Sequence, residues 1–231
     1  MGSLNQVQNS VLLGSLLGDG TLRKSLGKLN ALFEVNHTIK QKDYVDWKYE
    51  QLKLFVLTKP KARKGNGNRI AYRFTTRSLP PFTELYHRFY VNNRKIVPPD
   101  LQLDTLALAV WFMDDGSKSR SSYYLNTQQF AMADQLKLLA LLKNQFGLDA
   151  SLNKDKTYYR IRINTDSSKR FKQMIGPLVL STMRYKLDDD PVTTDPKGEM
   201  QPFANKELHN TPTLINKTAD NGVEHLMSLI R

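Results

Sequence analysis

The sequence of 231 residues contains no cysteine and only four histidines. The first absence excludes disulfides, thiolate zinc sites and thiol nucleophiles, and the second disfavours a histidine-based metal site. Any metal ion would therefore have to be held by oxygen atoms. The sequence also lacks a run of 18 or more apolar residues, so a membrane-spanning helix is not expected and a soluble protein without a membrane partner is predicted.

The net charge of +12 is distributed unevenly along the chain. Residues 187–231 hold eight acids and four bases, which leaves 30 bases and 14 acids in residues 1–186. A positive field of that kind favours a polyanionic partner such as nucleic acid. An anionic membrane surface or plain solubility would also account for the charge, so charge alone leaves these alternatives open.

Two apolar segments of the chain end in the same way. Residues 11–20 have the sequence VLLGSLLGDG, and residues 106–116 have the sequence LALAVWFMDDG. Each segment is apolar nearly all round and is predicted to form a buried helix, closed by a glycine suited to a left-handed cap. Each also places an acid at its C-terminal tip, Asp19 in the first and Asp115 in the second.

The segments that follow these two helices repeat one order of elements, which indicates an internal duplication. The first half is predicted to contain a basic turn (Arg23, Lys24), a strand (32–38), a helix (43–57), a basic Gly/Asn-rich loop (59–68), a strand (69–75) and a helix (81–90). The second half is predicted to contain Lys118 and Arg120, a strand (123–128), a helix (134–146), two strands around a turn at 154–156 (150–164) and a helix (168–180).

The repeat also predicts the boundaries of the halves. Each half closes near a lysine, Lys95 in the first and Lys186 in the second, and Pro98-Pro99 is typical of a linker. We therefore predict halves at residues 8–97 and 98–187, followed by an acidic extension of unknown role at residues 188–231.

Four predicted strands alternate apolar and polar residues, which is typical of a sheet with one buried face. In the strand at 69–75, for example, Ile70, Tyr72 and Phe74 are predicted to face the core. Arginine, asparagine, glutamine and threonine on the opposite faces are side chains that read base edges in a major groove. Surface strands are polar outside for structural reasons as well, but four such strands in so basic a region favour DNA recognition.

The predicted DNA contacts fall into three groups. Candidates for base-edge contacts are Asn36, Arg69, Arg73, Thr75, Asn126, Gln128, Arg160, Arg162 and Asn164. Candidates for phosphate contacts in turns are Lys59, Lys61, Arg63, Lys64, Lys154 and Lys156. The remaining predicted contacts are Arg23, Lys24, Glu34, Thr38, Lys40, Asn68, Lys118, Arg120 and Tyr124.

An acid at the C-terminal end of a helix is electrostatically unfavourable, because that end already carries partial negative charge. If the two helices pack side by side, Asp19 and Asp115 meet, and the two carboxylates repel each other unless a divalent cation lies between them. Gly14, Ser15 and Gly18 are small enough to allow such packing. Hard oxygen ligands and a phosphate-rich partner together indicate Mg²⁺.

The two helical segments resemble the paired signature helices of the LAGLIDADG homing endonucleases, in the single-chain form that fuses two halves. The first copy, LLGSLLGDG at residues 12–20, is close to the family pattern. The second copy, LAVWFMDDG at residues 108–116, departs from it at Val110, which occupies the usual small position, and at Asp114, which precedes the acid. The resemblance spans about residues 8–187.

The resemblance implies an α+β fold of two pseudo-symmetric αββαββα halves, with four-stranded antiparallel sheets forming a saddle over DNA and the signature helices packed at the centre. It implies a monomeric, site-specific endonuclease that hydrolyses one phosphodiester per strand of a long duplex and leaves short 3′ overhangs. The metals would be held by Asp19 and Asp115, joined by the backbone carbonyls of Gly18 and Asp114. Lys95 and Lys186 match the basic residues that assist catalysis in the family.

Two other functions on the same scaffold remain open. An intron maturase would bind intron RNA and assist splicing, and the two roles can coexist in one protein. A non-catalytic DNA-binding regulator would be marked by loss of one or both acids, but both are present. For Lys95 and Lys186, a phosphate contact or an ordinary surface position is the alternative to a catalytic role.

Overall fold

The chain forms the same series of elements twice, in the order helix, two strands, helix, two strands and helix. The computed structural model describes residues 4–65 and 67–187. The first half contains α1 (Gln6–Leu17), β1 (Thr21–Arg23), β2 (Leu32–Thr38), α2 (Lys42–Leu52), β3 (Lys61–Lys64), β4 (Ile70–Thr75) and α3 (Pro80–Phe89). A short hairpin of β5 (Tyr90–Val91) and β6 (Arg94–Lys95) follows. The second half contains α4 (Thr105–Asp115), β7 (Gly116–Ser119), β8 (Ser122–Leu125), α5 (Met132–Phe146), β9 (Ala150–Asp155), β10 (Tyr158–Ile163) and α6 (Thr165–Ile175).

This series confirms the predicted α+β fold with two αββαββα halves. The described residues belong to one compact unit. The residue boundaries assigned to the two halves stay a prediction, and the acidic extension at 188–231 lies outside the described residues.

Each half contains one four-stranded sheet, and the two sheets have equivalent strand orders. The orders are β1-β2-β4-β3 and β7-β8-β10-β9, with antiparallel pairing throughout. The register places Asn36 opposite Arg73 in the first sheet and Tyr124 opposite Arg162 in the second. Since directly opposed residues point to the same side of a sheet, these predicted DNA contacts share one face in each half.

Helices α1 and α4 pack against each other along most of their length and lie at the centre of the core. A Cβ atom added at Gly14 would lie 2.7 Å from the Cβ of Val110, and one added at Gly18 would collide with Asp114. The close approach predicted from the small residues of α1 is therefore confirmed. Among residues 4–65 and 67–187, no helix is long and apolar enough to span a bilayer.

The glycines that end these two helices are not left-handed caps, so that prediction is wrong. Gly18 has φ −105° and Gly116 has φ −81°, values open to any residue. Space is the reason for glycine at both places, because a Cβ at Gly18 would meet Asp114 and a Cβ at Gly116 would collide with Phe112.

The basic loop predicted at residues 59–68 contains a strand, which is a second correction. Lys61, Arg63 and Lys64 lie in β3 and not in a turn, and all are exposed. The register of β3 with β4 runs from Lys61 opposite Arg73 to Lys64 opposite Ile70. Pairing with a neighbouring strand overrides the low strand propensity of a lysine-rich segment.

Further differences concern the ends and faces of elements. The strand predicted at 123–128 ends at Leu125, so Asn126 and Gln128 lie beyond it, and α2 and α6 end earlier than predicted because 3₁₀ turns follow them. Two further basic residues predicted to lie in turns lie in strands instead, Arg23 in β1 and Lys154 in β9, and Lys118 lies in β7. Ile70 was predicted to be buried but is 47% exposed, because it starts β4 opposite the exposed Lys64.

Candidate active site

The two acids predicted as metal ligands line one cavity at the C-terminal ends of α1 and α4. Asp19 follows the last turn of α1, and Asp115 is the last residue of α4. The packing of the two helices brings both carboxylates to the same place. The cavity has a volume of about 310 Å³ and is lined by Gly18, Asp19, Thr21, Lys95, Asp115, Asn126, Gln128 and Gln129.

Burial and the charges of neighbouring carboxylates raise the pKa of both acids. The pKa of Asp115 rises to about 7, first because of burial and then because of the charges of Asp19 and Asp114. The pKa of Asp19 is also raised, by burial and by Asp114. Nearby lysines oppose both shifts without cancelling them. Ionisation of the two acids is therefore disfavoured in the free protein, first by burial and then by the neighbouring carboxylates.

Lys95 and Lys186 bind the backbone at the ends of the two helices. Lys95 donates from Nζ to the carbonyl oxygens of Gly18 (3.2 Å) and Gly20 (2.9 Å). Lys186 donates to those of Met113 (2.6 Å) and Asp114 (2.7 Å). Each lysine thus supplies the cation that the end of its own helix requires. Burial lowers the pKa of both lysines, that of Lys95 to about 8.

The Asp114 side chain is turned away from the cavity into a buried cluster. Its Oδ1 accepts from Lys48 Nζ (2.7 Å) and Tyr44 OH (2.8 Å). Its Oδ2 is buried and has no hydrogen-bond partner among the described residues. The backbone carbonyl of Asp114, already in contact with Lys186, is the group near the site. Sequence reasoning missed Lys48, because a lysine in the charged sequence of α2 looks like a surface residue.

His37 lies between Asp19 and Asp114 on the buried face of β2. Its Nδ1 is 3.1 Å from Gln41 Oε1 and 3.5 Å from Asp19 Oδ2, and its Nε2 is 3.6 Å from Asp114 Oδ1. Burial and the charge of Lys48 lower the pKa of His37 to about 4, so the ring is neutral at physiological pH. The strand alternation that places Asn36 outward also places His37 inward, and this alternation is the signal in the sequence that identifies His37.

Gln129 is a further site residue that sequence reasoning missed. Its Nε2 donates to the carbonyl oxygen of Leu17 (3.0 Å) and lies 3.4 Å from both Gly18 O and Asp115 Oδ2. This second-half side chain therefore touches the end of the first-half helix. Gln129 belongs to an irregular segment between β8 and α5, where no periodic pattern identifies a functional residue.

Most of the predicted DNA contacts lie on the sheets or in the turns beside them. Two of the predicted contacts lie at the cavity instead. Asn126 and Gln128 line the cavity with the acids. Arg160 lies over the Tyr124 ring at 4.3 Å, and Arg23 forms an ion pair with Glu34. The exposed members are Arg23, Lys24, Asn36, Lys40, Lys59, Lys61, Arg63, Lys64, Asn68, Arg69, Thr75, Arg120, Lys154 and Lys156. The half-buried members are Glu34, Thr38, Arg73, Lys118, Tyr124, Asn126, Gln128, Arg160, Arg162 and Asn164.

Comparison with known proteins places this site in a family. Residues 9–171 match the profile of the LAGLIDADG DNA endonuclease family. The chain belongs to this family. It is 31% identical over 199 residues to a probable intron-encoded endonuclease 1 of Wickerhamomyces canadensis, an alignment that covers 80% of this chain and 85% of the relative.

The chain is also similar to a maturase and to a solved homing endonuclease. The chain is 26% identical to the cytochrome b mRNA maturase bI2 of Debaryomyces hansenii, over 80% of this chain and 74% of the relative. The solved structure of the homing endonuclease I-WcaI bound to its DNA recognition sequence matches with a TM-score of 0.75 and 28% identity, over 81% of this chain and 88% of that one.

Membership in the LAGLIDADG DNA endonuclease family confirms the resemblance stated from the signature helices. It also confirms, at the level of the family, the predicted DNA endonuclease function and double-stranded DNA as the partner. The enzyme class is accordingly that of a hydrolase acting on DNA.

Proposed function

We propose that this chain is a monomeric homing endonuclease that uses Mg²⁺ to cut a long duplex target, hydrolysing one phosphodiester in each strand and leaving short 3′ overhangs. The observation that carries the proposal is the meeting of Asp19 and Asp115 in one cavity, at the ends of two packed helices. The first strand of each sheet starts beside one of these acids, which links the cavity to both polar sheet faces.

The residues at the cavity suit a hard divalent cation. Within residues 4–65 and 67–187, no group of three or more histidine, aspartate and glutamate side chains is placed to hold a metal. The donor set is therefore the carboxylates of Asp19 and Asp115 with the backbone carbonyls of Gly18 and Asp114, completed by phosphate and water oxygens. The raised pKa of both acids supports this assignment, because a bound cation would compensate carboxylates whose ionisation is disfavoured by burial and by neighbouring acids. When bound, Mg²⁺ supplies Lewis-acid stabilisation of phosphate charge and a bound water of lowered pKa.

Lys95 and Lys186 are proposed to support the reaction from either side of the acids. A pKa of about 8 keeps Lys95 mostly protonated at neutral pH, yet makes its Nζ proton easier to transfer than that of an ordinary lysine. We propose that each ammonium group stabilises charge on a phosphate oxygen or on the leaving oxygen. In the free protein the same two groups cap the helix ends, which also fixes their positions.

The polar faces of the two sheets are proposed to bind the DNA. Residues that point out from the middle of the sheets, such as Asn36, Arg73 and Arg162, are suited to base edges. The exposed lysines and arginine of β3 lie on an outer strand and are suited to phosphates. Since one chain supplies both sheets and both acids, it does not need a second copy to cut both strands.

An RNA maturase role is the second candidate, and one observation favours it. The relative from Debaryomyces hansenii is named a cytochrome b mRNA maturase and aligns over 80% of this chain. Intron RNA would engage the same basic surface through its phosphates. A purely DNA-binding regulator is less well supported, because both acids are present and lie together.

A single experiment separates these functions. The protein is incubated with a randomised duplex library and Mg²⁺, and the cut ends are sequenced beside an Asp19→Asn, Asp115→Asn double variant. Cleavage at one long motif by the wild type alone is the expected result. Enrichment without cleavage would favour the regulator, and absence of enrichment would direct the search to binding of structured intron RNA.

A further inference from the structure

A buried ion pair joins the two halves directly behind the candidate site. Lys48, from α2 of the first half, donates to Asp114 Oδ1 on α4 of the second half, and Tyr44 OH donates to the same oxygen. The side chains of Lys48 and Asp114 are both 0% exposed. Lys48 Nζ also lies 4.5 Å from the centre of the Tyr44 ring. These contacts hold a carboxylate that immediately precedes Asp115.

Stability alone does not account for this pair. Moving two charges into the interior is costly, and an apolar pair of similar volume is often as stable or more stable. A buried charge pair does provide a single geometry, because Asp114 Oδ1 must face two donors at fixed distances. That restriction passes through the Asp114 side chain to the last turn of α4.

The backbone at the same turn is held from the other side. Lys186 binds the carbonyl oxygens of Met113 and Asp114, and the Asn126 N–H donates to the carbonyl oxygen of Asp115 at 3.0 Å. The second half thus holds the backbone of this turn, while the first half holds its Asp114 side chain. Both sets of contacts therefore act on the turn that carries Asp115.

The matching end of α1 is held by different chemistry. Gly18 precedes Asp19 and has no side chain that could form a hydrogen bond or an ion pair. Leu138 is the seventh residue of α5, as Lys48 is the seventh residue of α2, and Leu138 is a buried apolar residue. The contact from the opposite half is instead the neutral amide of Gln129, which donates to the carbonyl oxygen of Leu17.

We propose that Lys48, assisted by Tyr44, is a positioning residue that acts more strongly on Asp115, which adjoins Asp114 in the chain, than on Asp19. The first half of the chain then sets the geometry of the second half's site through a charge that never meets substrate. The proposal rests on the proposed endonuclease function, in which Asp115 takes part in strand cleavage. It follows that cleavage of the two target strands depends unequally on Lys48.

The first test measures backbone amide hydrogen exchange in the metal-free protein, where no activity is needed. Lys48→Met is expected to speed exchange at residues 113–116 by about tenfold relative to residues 17–20, because the end of α4 opens locally. Lys48→Arg keeps the charge but brings a larger, planar group into a fully buried position, so it is expected to restore only part of the protection. Equal acceleration at both helix ends, or none at either, would overturn the proposal.

Ser10→Ala is the matched control, since it breaks a polar contact between α1 and α4 at the opposite end of the pair. Ser10 Oγ donates to Asp104 Oδ2 at 2.6 Å. Loss of this contact is expected to change amide exchange at residues 17–20 and at residues 113–116 to the same extent. Tyr44→Phe is the milder variant if Lys48→Met fails to fold, because it removes only the hydroxyl on Asp114. It is expected to give a smaller change with the same preference for residues 113–116, and a preference for residues 17–20 would contradict the proposal.

The second test uses the duplex target that the library experiment identifies. It compares the rates at which the protein cuts the two strands of this duplex. Lys48→Met is expected to change the ratio of these rates on the order of 10²-fold, because a shift of roughly 1 Å in a catalytic group has that effect. Equal loss on both strands would indicate a merely structural role. If the wild type cuts no duplex, the proposed function fails, while the exchange measurement still decides whether Lys48 positions the end of α4.

Discussion

The two helix ends at the candidate site bring their acids to one cavity but differ in electrostatics. At the end of α1, Gly18 adds no charge, and the Asp19 side chain beside it is 48% exposed. At the end of α4, Asp114 adds a fully buried carboxylate, and the pKa of Asp115 rises to about 7. Pseudo-symmetry of a fold therefore does not make its two sites equivalent. In a single chain each half is free to diverge, since every position is encoded separately.

The outer strands of the two sheets differ in the same manner. β3 presents Lys61, Arg63 and Lys64, all exposed, whereas β9 presents Lys154 and is followed by Lys156 in the turn. The first half thus offers more positive charge at its edge. If both edges follow DNA phosphates, the first half contributes more of the electrostatic binding free energy.

Among the substitutions that test this comparison, replacing either acid is expected to have the largest effect, measured as the rate of target cleavage. Asp19→Asn and Asp115→Asn should each lower target cleavage by about 10³-fold or more, because each removes a carboxylate ligand of the cation. Rates are measured on a duplex with both strands labelled. Inequivalent sites predict that the two variants leave residual cleavage on different strands.

The control for the acids is Asp100→Asn, which removes an exposed carboxylate whose contact is an ion pair with Arg88. Its cleavage rate should match that of the wild type. Full activity of either Asp19→Asn or Asp115→Asn would remove that acid from the catalytic set.

The contact between the helix ends is tested by Gly18→Ala. The new Cβ would collide with Asp114, so the substitution should destabilise the protein by about 3 kcal/mol in chemical unfolding. Gly176→Ala is the matched control, since a Cβ there meets no atom within 4 Å among the described residues and φ is −53°. Similar losses in the two variants would show that the close approach at Gly18 is not the limiting feature.

The unequal electrostatics predict that Asp115→Asn changes the stability of the metal-free protein, and that the size of this change depends on pH. The folded-state pKa of about 7 exceeds the ordinary value of 3.8, so the folded protein retains a proton that the unfolded chain has lost. This contribution makes the wild type less stable as pH rises from about 4 to 7, and asparagine removes it.

The variant should therefore gain stability over the wild type on going from pH 5 to pH 8, by roughly 2 kcal/mol. This is less than the full linkage value, because Asp115 keeps partial access to water. Urea unfolding with a chelator present measures the gain. A stability difference that is the same at both pH values would contradict the raised pKa.

The smallest expected effect concerns the outer strands. Replacing Lys61, Arg63 and Lys64 with alanine together should reduce the slope of log affinity against log salt by about 2.7, at about 0.9 per phosphate contact. Replacing Lys154 and Lys156 should reduce it by about 1.8. Fluorescence anisotropy of the intact target duplex, with Ca²⁺ in place of Mg²⁺, measures both slopes. A slope unchanged by the triple substitution would place β3 away from the DNA.

Much of the fold was predictable because its signals are local. The apolar stretches before Asp19 and Asp115 required buried helices, and alternation around Asn36 and Arg162 required half-buried strands. The strand at Lys61–Lys64 was not predictable in this way, since only pairing with β4 makes a lysine-rich segment extended. The same holds for the end of β8, where the backbone of Asn126 binds Asp115 and not a neighbouring strand.

By itself, the sequence determined the duplication, the two acids, the lysines Lys95 and Lys186, and the positive charge that suits DNA. Each follows from composition or from spacing along the chain. Only the tertiary structure decided that Lys48 and His37 lie buried behind the acids and that Gln129 reaches across to α1. Those positions depend on contacts between distant segments, and burial, which sets the charge state of a side chain, is a property of the packed molecule.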